Sequence, residues 1–305
     1  LVISGEHHPR FKYEFALDFA EVNDETRLDY FIIDANVNID LPSGFDAYVG
    51  FQRLPISRNS NVSAFVSVFS RRPPMSGGAL YNRRGMGVMF RKKMAHNRVN
   101  FHAGVFDSQG AVRNINGKQI SLAYVARADF AFPARVRFEE VDVRHSPDPL
   151  FAVGLNFLYS EHSEEREVEL FPLYLDGSKT LGAVDFAFMY EGVSVQAEVT
   201  RAWLQRDDDA EDSLPGSFVS QGMHVSVNYY AKSIKSVFAA RFETFNPNSA
   251  LYDAAFNVLT FGYNFLVDGS RDVVIRTDFR YFLNEDISDT PYNEYAWNLG
   301  FQFRF

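Results

Sequence analysis

Apolar and polar residues alternate with a period of two along most of this chain. From residue 11 to residue 19, Phe, Tyr and Leu occupy the odd positions, and most of the even positions between them are charged. Residues 295–305 repeat the pattern, with Tyr, Trp, Leu and Phe at the odd positions. Because successive side chains of a strand point to opposite faces, both segments are predicted to be β-strands with one apolar and one polar face.

The length of the alternating runs separates a membrane barrel from a soluble sandwich. Sandwich strands usually contain about 5–6 residues, whereas these runs continue for about 9–13 residues, as a tilted strand needs to cross a bilayer. No apolar run reaches the roughly 18 residues of a membrane-spanning helix. A sheet in lipid closes on itself, because an open edge leaves backbone groups unpaired. The sequence therefore predicts an all-β transmembrane antiparallel barrel that occupies residues 1–305 as a single domain.

Fourteen strands account for the alternation. Short and long connections alternate between them, as in outer-membrane barrels, whose short turns face the periplasm. Both termini are then predicted on the periplasmic side, and the last strand is predicted to pair with the first. The predicted strands are 9–22, 28–40, 45–57, 85–94, 98–107, 119–131, 149–161, 180–190, 192–205, 219–231, 235–246, 254–267, 271–283 and 293–305.

Two segments resist this assignment. Residues 62–69 are apolar and β-branched but lie in the longest loop, and residues 134–144 are half-alternating and charged but lie on the short-turn side. Pairing the two would give sixteen strands, although it would invert the loop asymmetry in the middle of the chain. We therefore interpret 134–144 as a long periplasmic connection, and we expect the loop 58–84 to fold back into the barrel.

Charge is distributed unevenly along the chain. No Asp or Glu stands between Asp46 and Asp107, yet ten Arg and Lys residues lie there, in a chain whose net charge is -9. A solvated basic loop is one interpretation; the other is a cationic pore lining, since rings of Arg and Lys select anions. The residues predicted to line or constrict the pore are Arg53, Arg58, Arg71, Arg72, Arg83, Arg84, Arg91, Lys93 and Arg98. Strand parity predicts a further set of lumen residues, namely His102, Asp34, Arg276, Asp278 and Arg280.

Several stretches carry a family resemblance. Residues 49–57 read Val-Gly-Phe-Gln-Arg-Leu-Pro-Ile-Ser, residues 84–88 read Arg-Gly-Met-Gly-Val, and residues 101–107 read Phe-His-Ala-Gly-Val-Phe-Asp. They are similar to strands of the phosphate-selective porin O and P family, and the terminal Phe305 resembles the end signal of outer-membrane barrels. The resemblance implies a bacterial outer-membrane porin, often a homotrimer, with an inward-folded third loop.

The sequence thus favours a passive, water-filled channel for small hydrophilic solutes with a mild anion preference. Its expected surroundings are the membrane lipids and lipopolysaccharide of the bacterial outer membrane. Two alternatives are a barrel that scaffolds or sheathes a partner protein, and a lipid-modifying barrel enzyme. The enzyme is disfavoured, because no Gly-rich phosphate loop or HExxH motif is present. The absence of Cys excludes thiolate metal sites, no metal or cofactor is predicted, and the acidic net charge disfavours nucleic acid as a partner.

Overall fold

One long antiparallel sheet dominates the structure. The computed structural model describes residues 2–8, 10–17, 32–77, 80–81, 83–107, 122–162, 165–168, 171–174, 177–206, 216–250, 255–283 and 295–303. The strands are β1 (Val2–His8), β2 (Phe11–Leu17), β3 (Ile32–Leu41), β4 (Phe45–Arg53), β5 (Arg84–Met94), β6 (Val99–Asp107), β7 (Leu122–Phe132), β8 (Leu150–His162), β9 (Glu165–Val168), β10 (Phe171–Tyr174), β11 (Gly177–Tyr190), β12 (Val193–Arg206), β13 (Ser217–Ala231), β14 (Ser236–Asn246), β15 (Phe256–Leu266), β16 (Val273–Phe282) and β17 (Tyr295–Phe303). All of them except the separate hairpin β9–β10 belong to one sheet of fifteen strands, each paired with its neighbours along the chain.

The predicted all-β antiparallel architecture is confirmed, and the main sheet of the described residues has fifteen strands, one more than the fourteen that were predicted. Each predicted strand has a counterpart among β2–β8 and β11–β17. The additional strand is β1, whose sequence does not alternate and which pairs with β2. The predicted pairing of the last strand with β2 is wrong, because both edges of β2 are occupied by β1 and β3. Phe305 itself lies outside the described residues.

The two ends of the sheet differ in the length of their connections. One end, the short-turn end, carries the junction between β1 and β2, the turns 42–44, 95–98, 191–192, 232–235 and 267–272, and one longer connection, 133–149. The opposite end, the long-loop end, carries the other connections. Because β1 runs antiparallel to β2, Val2 lies at the long-loop end and Phe303 at the short-turn end, so the prediction of both termini on one side is wrong.

The pairing of residues 62–69 with residues 134–144, on which the sixteen-strand alternative depends, is also wrong. Within residues 62–69, the structure has a short 3-10 turn at Ala64–Val66 and no strand. Residues 134–144 likewise contain no strand. Val62, Phe69 and Val141 are instead buried, so both segments use their apolar residues to pack against the interior of the molecule.

The outer face of the sheet is an apolar band. On β8, Phe151, Val153, Leu155 and Phe157 all point outward and are each more than a third exposed. The 13 residues of β8 rise by roughly 33 Å at about 3.3 Å per residue and a tilt of about 40°, which covers the hydrocarbon core of a bilayer. An apolar surface this extensive requires an apolar surrounding. No helix in the described segments is long and apolar enough to cross a membrane.

Aromatic side chains mark both borders of this band. Near the short turns, Phe151 stands in register between Phe132 and Phe188, and its ring lies 5.1 Å from that of Phe188. Near the long loops, Tyr124 stands opposite Tyr159 on the neighbouring strand. Two aromatic belts that flank an apolar band are typical of outer-membrane strands.

The outer band gives a first prediction. Phe279 faces outward on β16 and stands in register with Phe261, the central residue of β15. Replacing Phe279 with Arg is expected to cost about 2–4 kcal/mol, because it places a cation near the middle of the bilayer. Urea titration of the protein in lipid vesicles measures the loss. Tyr281→Arg, closer to the long-loop end, should cost less, and the reverse order would contradict the placement of this band.

Candidate functional site

The connection 54–83, here named the inward loop, crosses the space inside the curved sheet. Ser57 donates a hydrogen bond from Oγ to the carboxylate of Glu198 on β12, at 2.6 Å. The backbone N–H of Ser70 donates to Asp278 on β16, at 2.7 Å. Because β12 and β16 lie far from β4 in the strand order, the inner face of the sheet curves around the loop. The inward fold predicted for residues 58–84 is therefore confirmed.

Two apolar side chains fix the inward loop to the far wall. Phe69 lies beneath the guanidinium of Arg241 on β14, whose Cζ is 4.5 Å from the ring centroid. The same guanidinium donates to the backbone carbonyl of Arg71, at 2.9 Å. Met75 packs against Gly222 on β13. A Cβ atom added to Gly222 would lie 2.6 Å from the Met75 Cε. The glycine thus provides the space for this contact.

A second segment enters the interior from the short-turn end. Residues 133–149, here named the turn-side segment, carry the buried Glu140, which is 2 % exposed. Its carboxylate accepts hydrogen bonds from Asn59 Nδ2 at 2.7 Å, from Ser67 Oγ at 3.1 Å and from the backbone N–H of Val68. All three donors belong to the inward loop. One carboxylate therefore joins the two segments that enter from opposite ends of the sheet.

The wall holds the turn-side segment through its backbone. Ser194 Oγ and Asn228 Nδ2 donate to the carbonyl of Glu140, at 2.8 and 2.9 Å. Gln196 Nε2 donates to the carbonyl of Glu139, at 2.6 Å. The sequence interpretation of 134–144 as a periplasmic connection placed it at the correct end of the sheet. It missed the inward fold, because this segment finds its backbone partners on β12 and β13.

A buried ionic cluster connects the inward loop to the wall. Asp185 on β11 accepts from Arg58 Nε at 3.3 Å and from Arg127 Nη1 at 2.7 Å. Both guanidiniums also lie over the ring of Phe138, with Cζ at 4.8 and 5.3 Å from its centroid. Arg127 pairs in addition with Asp129, at 2.6 Å. Two cations and two carboxylates balance here, so Arg58 adds no net charge to the lumen.

An open space of about 400 Å³ remains between the inward loop and the wall formed by β2–β7. Polar residues from the strands and from the loop line this space. Its charged lining residues are Glu14, Asp34, Arg53, Arg91 and Arg127. Both signs of charge therefore face the same opening, with the two carboxylates on the neighbouring strands β2 and β3.

Three of the predicted pore cations hydrogen-bond to uncharged groups of the inward loop. Arg53 Nη1 donates to the carbonyl of Asn61 at 3.0 Å, and Arg72 Nη2 donates to that of Val62 at 2.5 Å. Arg83 Nη2 donates to the carbonyl of Ser60 at 3.0 Å. Carbonyl partners leave the positive charge of a guanidinium uncompensated. Burial, and then the nearby guanidiniums of Arg72 and Arg84, lower the pKa of Arg83, as expected where like charges lie close together.

The other predicted pore cations differ in their surroundings. Arg91 and Lys93 share the carboxylate of Asp46, at 2.6 and 2.7 Å, so two cations meet one acid on the inner face. Arg84 pairs with Asp34 at 3.4 Å. Arg71 is exposed. Arg98 lies in the 95–98 turn, before the start of β6, and donates there to a carbonyl of the same turn.

The further residues predicted for the lumen lie on two different walls. His102, with Nε2 3.6 Å from a carboxylate oxygen of Asp129, lines the open space together with Asp34. Arg276, Asp278 and Arg280 lie on the inner face of β16, at the far wall. Their contacts there are with Gln302 for Arg276, with Ser70 and Asn298 for Asp278, and with Glu243 for Arg280.

Sequence reasoning missed three acidic residues of this interior, whereas strand parity does predict Asp185 to face the pore cations. Asp46 occupies an inward position on its strand, so strand parity could have identified it as well. Glu14 could have been found in the same way, since it stands between outward aromatic residues on β2. Glu140 has no such signal, because it lies in a connection without regular structure.

A curved antiparallel sheet with an apolar outer face, a polar inner face and a loop folded into its interior defines a porin of the bacterial outer membrane. The family model described as phosphate-selective porin O and P matches residues 1–285. The chain belongs to this family and is a channel for small solutes in the bacterial outer membrane.

Solved structures share the fold at low sequence identity. A refined porin structure is 10% identical, with a TM-score of 0.61 over 100% of this chain and 90% of that one. OmpT of Vibrio cholerae is 12% identical, with a TM-score of 0.57 over 89% of this chain and 72% of that one. OprD of Pseudomonas aeruginosa is 8% identical, with a TM-score of 0.51 over 95% and 73%. A search of curated proteins finds no match.

Proposed function

We propose that this porin is a passive pore with a mild preference for anions, and that it performs no catalysis. The observation that carries the proposal is a group of guanidiniums held by carbonyl groups, namely Arg53, Arg72 and Arg83. Arg53 lines the open space, and Arg72 lies close enough to Arg83 for the two charges to repel. Their charge is not cancelled by a bound carboxylate, and a low-dielectric wall focuses the field of such charges into an aqueous path. Glu14 and Asp34 line the same space and weaken the preference.

The arrangement supports a general anion preference better than selectivity for phosphate. Tight binding of phosphate would require several free guanidiniums along the path. Here Arg58 is enclosed with Asp185, and Arg98 lies in a turn with a backbone partner. The proposed solutes are therefore small hydrophilic molecules, with anions entering somewhat more readily than cations.

The reversal potential under a potassium chloride gradient tests the anion preference. In a planar bilayer, the wild-type channel is expected to be anion-selective. The double variant Arg53→Gln and Arg83→Gln should move the reversal potential toward zero, because both changes remove a positive charge. The matched variant Arg53→Lys and Arg83→Lys keeps both charges and should remain near the wild-type value. A cation-selective native channel, or equal shifts in the two variants, would refute the proposal.

We also propose that the chain assembles as a homotrimer. Its membership of a porin family supports this assembly, and a trimer of identical chains would close with cyclic symmetry. Native mass spectrometry of the protein in mild detergent measures the subunit number, and a purely monomeric species at all detergent concentrations would contradict the trimer.

A further inference from the structure

The outer face carries a groove of about 440 Å³ toward its short-turn end. Its floor lies where the outward residues are alanine, at Ala103 on β6 and at Ala126 and Ala128 on β7. Ala103 stands directly opposite Ala126 in the register. Larger outward side chains surround these alanines, namely Phe90 on β5, Phe101 on β6, and Leu155 and Phe157 on β8. The groove is therefore a depression in the lipid-facing surface, with a volume in the range of small-molecule sites.

A cation lies at the end of this groove that is closer to the short turns. Lys92 is two residues from the end of β5 and points outward, in register between Phe45 and Phe101. Its Nζ lies 4.1 Å above the ring of Phe45 and donates to the backbone carbonyl of Ser43. Both partners are uncharged. A charged lysine on a lipid-facing strand raises the free energy of the folded protein unless its ammonium lies at the membrane interface beside a counter-ion. We therefore expect Lys92 to have an anionic partner.

The anionic partner of Lys92 could be a carboxylate of a second copy of the chain or the phosphate of a lipid, and the positions of the acidic residues favour the phosphate. Among the outward-facing strand residues that the structure describes, the carboxylates are Asp107 and Glu161, and both lie at the long-loop end. Among the described residues, a second copy of the chain in the same membrane orientation would bring carboxylates toward the level of Lys92 from the turns, such as Glu191, Asp268 and Asp272, and not from the strands. The phosphate of a phospholipid lies at this level, because the short turns of outer-membrane barrels face the periplasm.

We propose that the groove binds a phospholipid of the periplasmic leaflet. One acyl chain lies over Ala103, Ala126 and Ala128, where the outward rings leave space for it. The phosphate of the headgroup accepts hydrogen bonds from the ammonium of Lys92. Lys92, the alanines and the rings that form this site are outward residues, so the site lies on the opposite face of the sheet from the pore cations.

Native mass spectrometry of the full chain with added phosphatidylglycerol tests the site. The wild-type protein is expected to retain one phosphatidylglycerol molecule, and to retain a diacylglycerol with the same chains less well, because the latter has no phosphate. Lys92→Gln should weaken phosphatidylglycerol binding about fivefold, the effect of one lysine close to a lipid surface. Ala126→Phe should abolish binding, since a phenyl ring fills the floor of the groove.

Two matched variants control for charge and bulk. Arg201→Gln removes an outward-facing cation from β12, near the long-loop end, where Arg201 lies over Trp203. Val225→Phe adds an outward ring on β13, away from the groove. Both should bind phosphatidylglycerol as the wild type does. Electrophoretic mobility before and after heating shows that each variant is folded, and Lys92→Gln tests the proposal even where Ala126→Phe does not fold.

Three results would overturn the inference. Equal weakening by Lys92→Gln and Arg201→Gln would mean that any surface cation attracts the lipid. Equal binding by Ala126→Phe and Val225→Phe would mean that the groove holds no acyl chain. Loss of oligomers in Ala126→Phe, with lipid binding unchanged, would identify the groove as a contact between copies of the chain.

Discussion

Asp185→Ala is expected to destabilise the folded protein by about 3–5 kcal/mol. The substitution removes the carboxylate that Arg58 and Arg127 share, while both guanidiniums stay buried. Breaking a buried ion pair by removing one partner is strongly destabilising, because the remaining charge loses its compensation in a medium of low dielectric constant. Urea-induced unfolding in lipid vesicles measures the change in the free energy of unfolding.

Two further variants separate this effect from the loss of any acid. Asp148→Ala removes an exposed carboxylate from the turn-side segment and should change stability by no more than about 0.5 kcal/mol. Asp185→Asn keeps an oxygen acceptor without the charge and should fall between the wild type and Asp185→Ala. If Asp185→Ala were as stable as Asp148→Ala, the ionic cluster would not hold the inward loop.

The strands could be predicted from the sequence because their signal is local. Each alternating run contains its own evidence, so the fourteen predicted strands all have counterparts in the sheet. The first strand could not be found in this way. Val2–His8 does not alternate, and it forms a strand by pairing along the edge of β2. Such a strand depends on its partner more than on its own sequence.

The contacts of the interior depend on residues that are far apart in the chain. Arg58 and Asp185 are separated by 127 positions, and no local pattern indicates that they meet. The inward fold of 58–84 was predictable, because apolar residues in an otherwise exposed loop need a place to pack. Val136 and Val141 gave the same signal for the turn-side segment, and it was not used because the segment lies on the short-turn side.

The charge of the lumen follows from these distant pairings. All charged residues between Asp46 and Asp107 are Arg or Lys, and this count alone would indicate a strongly anion-selective pore. In the structure, Asp34, Asp46 and Asp185 from elsewhere in the chain pair with Arg84, Arg91 and Arg58. Among the described residues, Arg53, Arg72 and Arg83 bond to carbonyl groups, so no paired carboxylate cancels their charge. The number of cations in the sequence therefore exceeds the number that lack a carboxylate partner in the structure. This difference is why the proposed anion preference is mild.

Glu140→Ala is expected to release the inward loop from the turn-side segment. The carboxylate accepts three hydrogen bonds from the loop, and each hydrogen bond to a charged group contributes about 1.5–3 kcal/mol. Losing them should weaken the junction by at least about 3 kcal/mol, because the N–H donors of Asn59 and Val68 stay buried without this acceptor. The hydroxyl of Ser67 keeps the carbonyl of Phe69, at 2.9 Å. A loop freed at this point can move within the open space, so single-channel recordings should show a higher conductance and frequent changes between levels.

Glu139→Ala provides the matched control for this experiment. Glu139 is the neighbouring residue, but its carboxylate pairs with Arg271 at 3.4 Å and has Arg137 and Arg144 nearby, all of them outside the inward loop. Its conductance should therefore stay close to that of the wild type and be steady. Glu140→Gln keeps one carbonyl acceptor and should give intermediate behaviour. If the conductance of Glu140→Ala were steady and equal to that of the wild type, the contacts of the inward loop with the wall would be sufficient to hold it in place. The junction between the two inward segments would then not set the width of the pore.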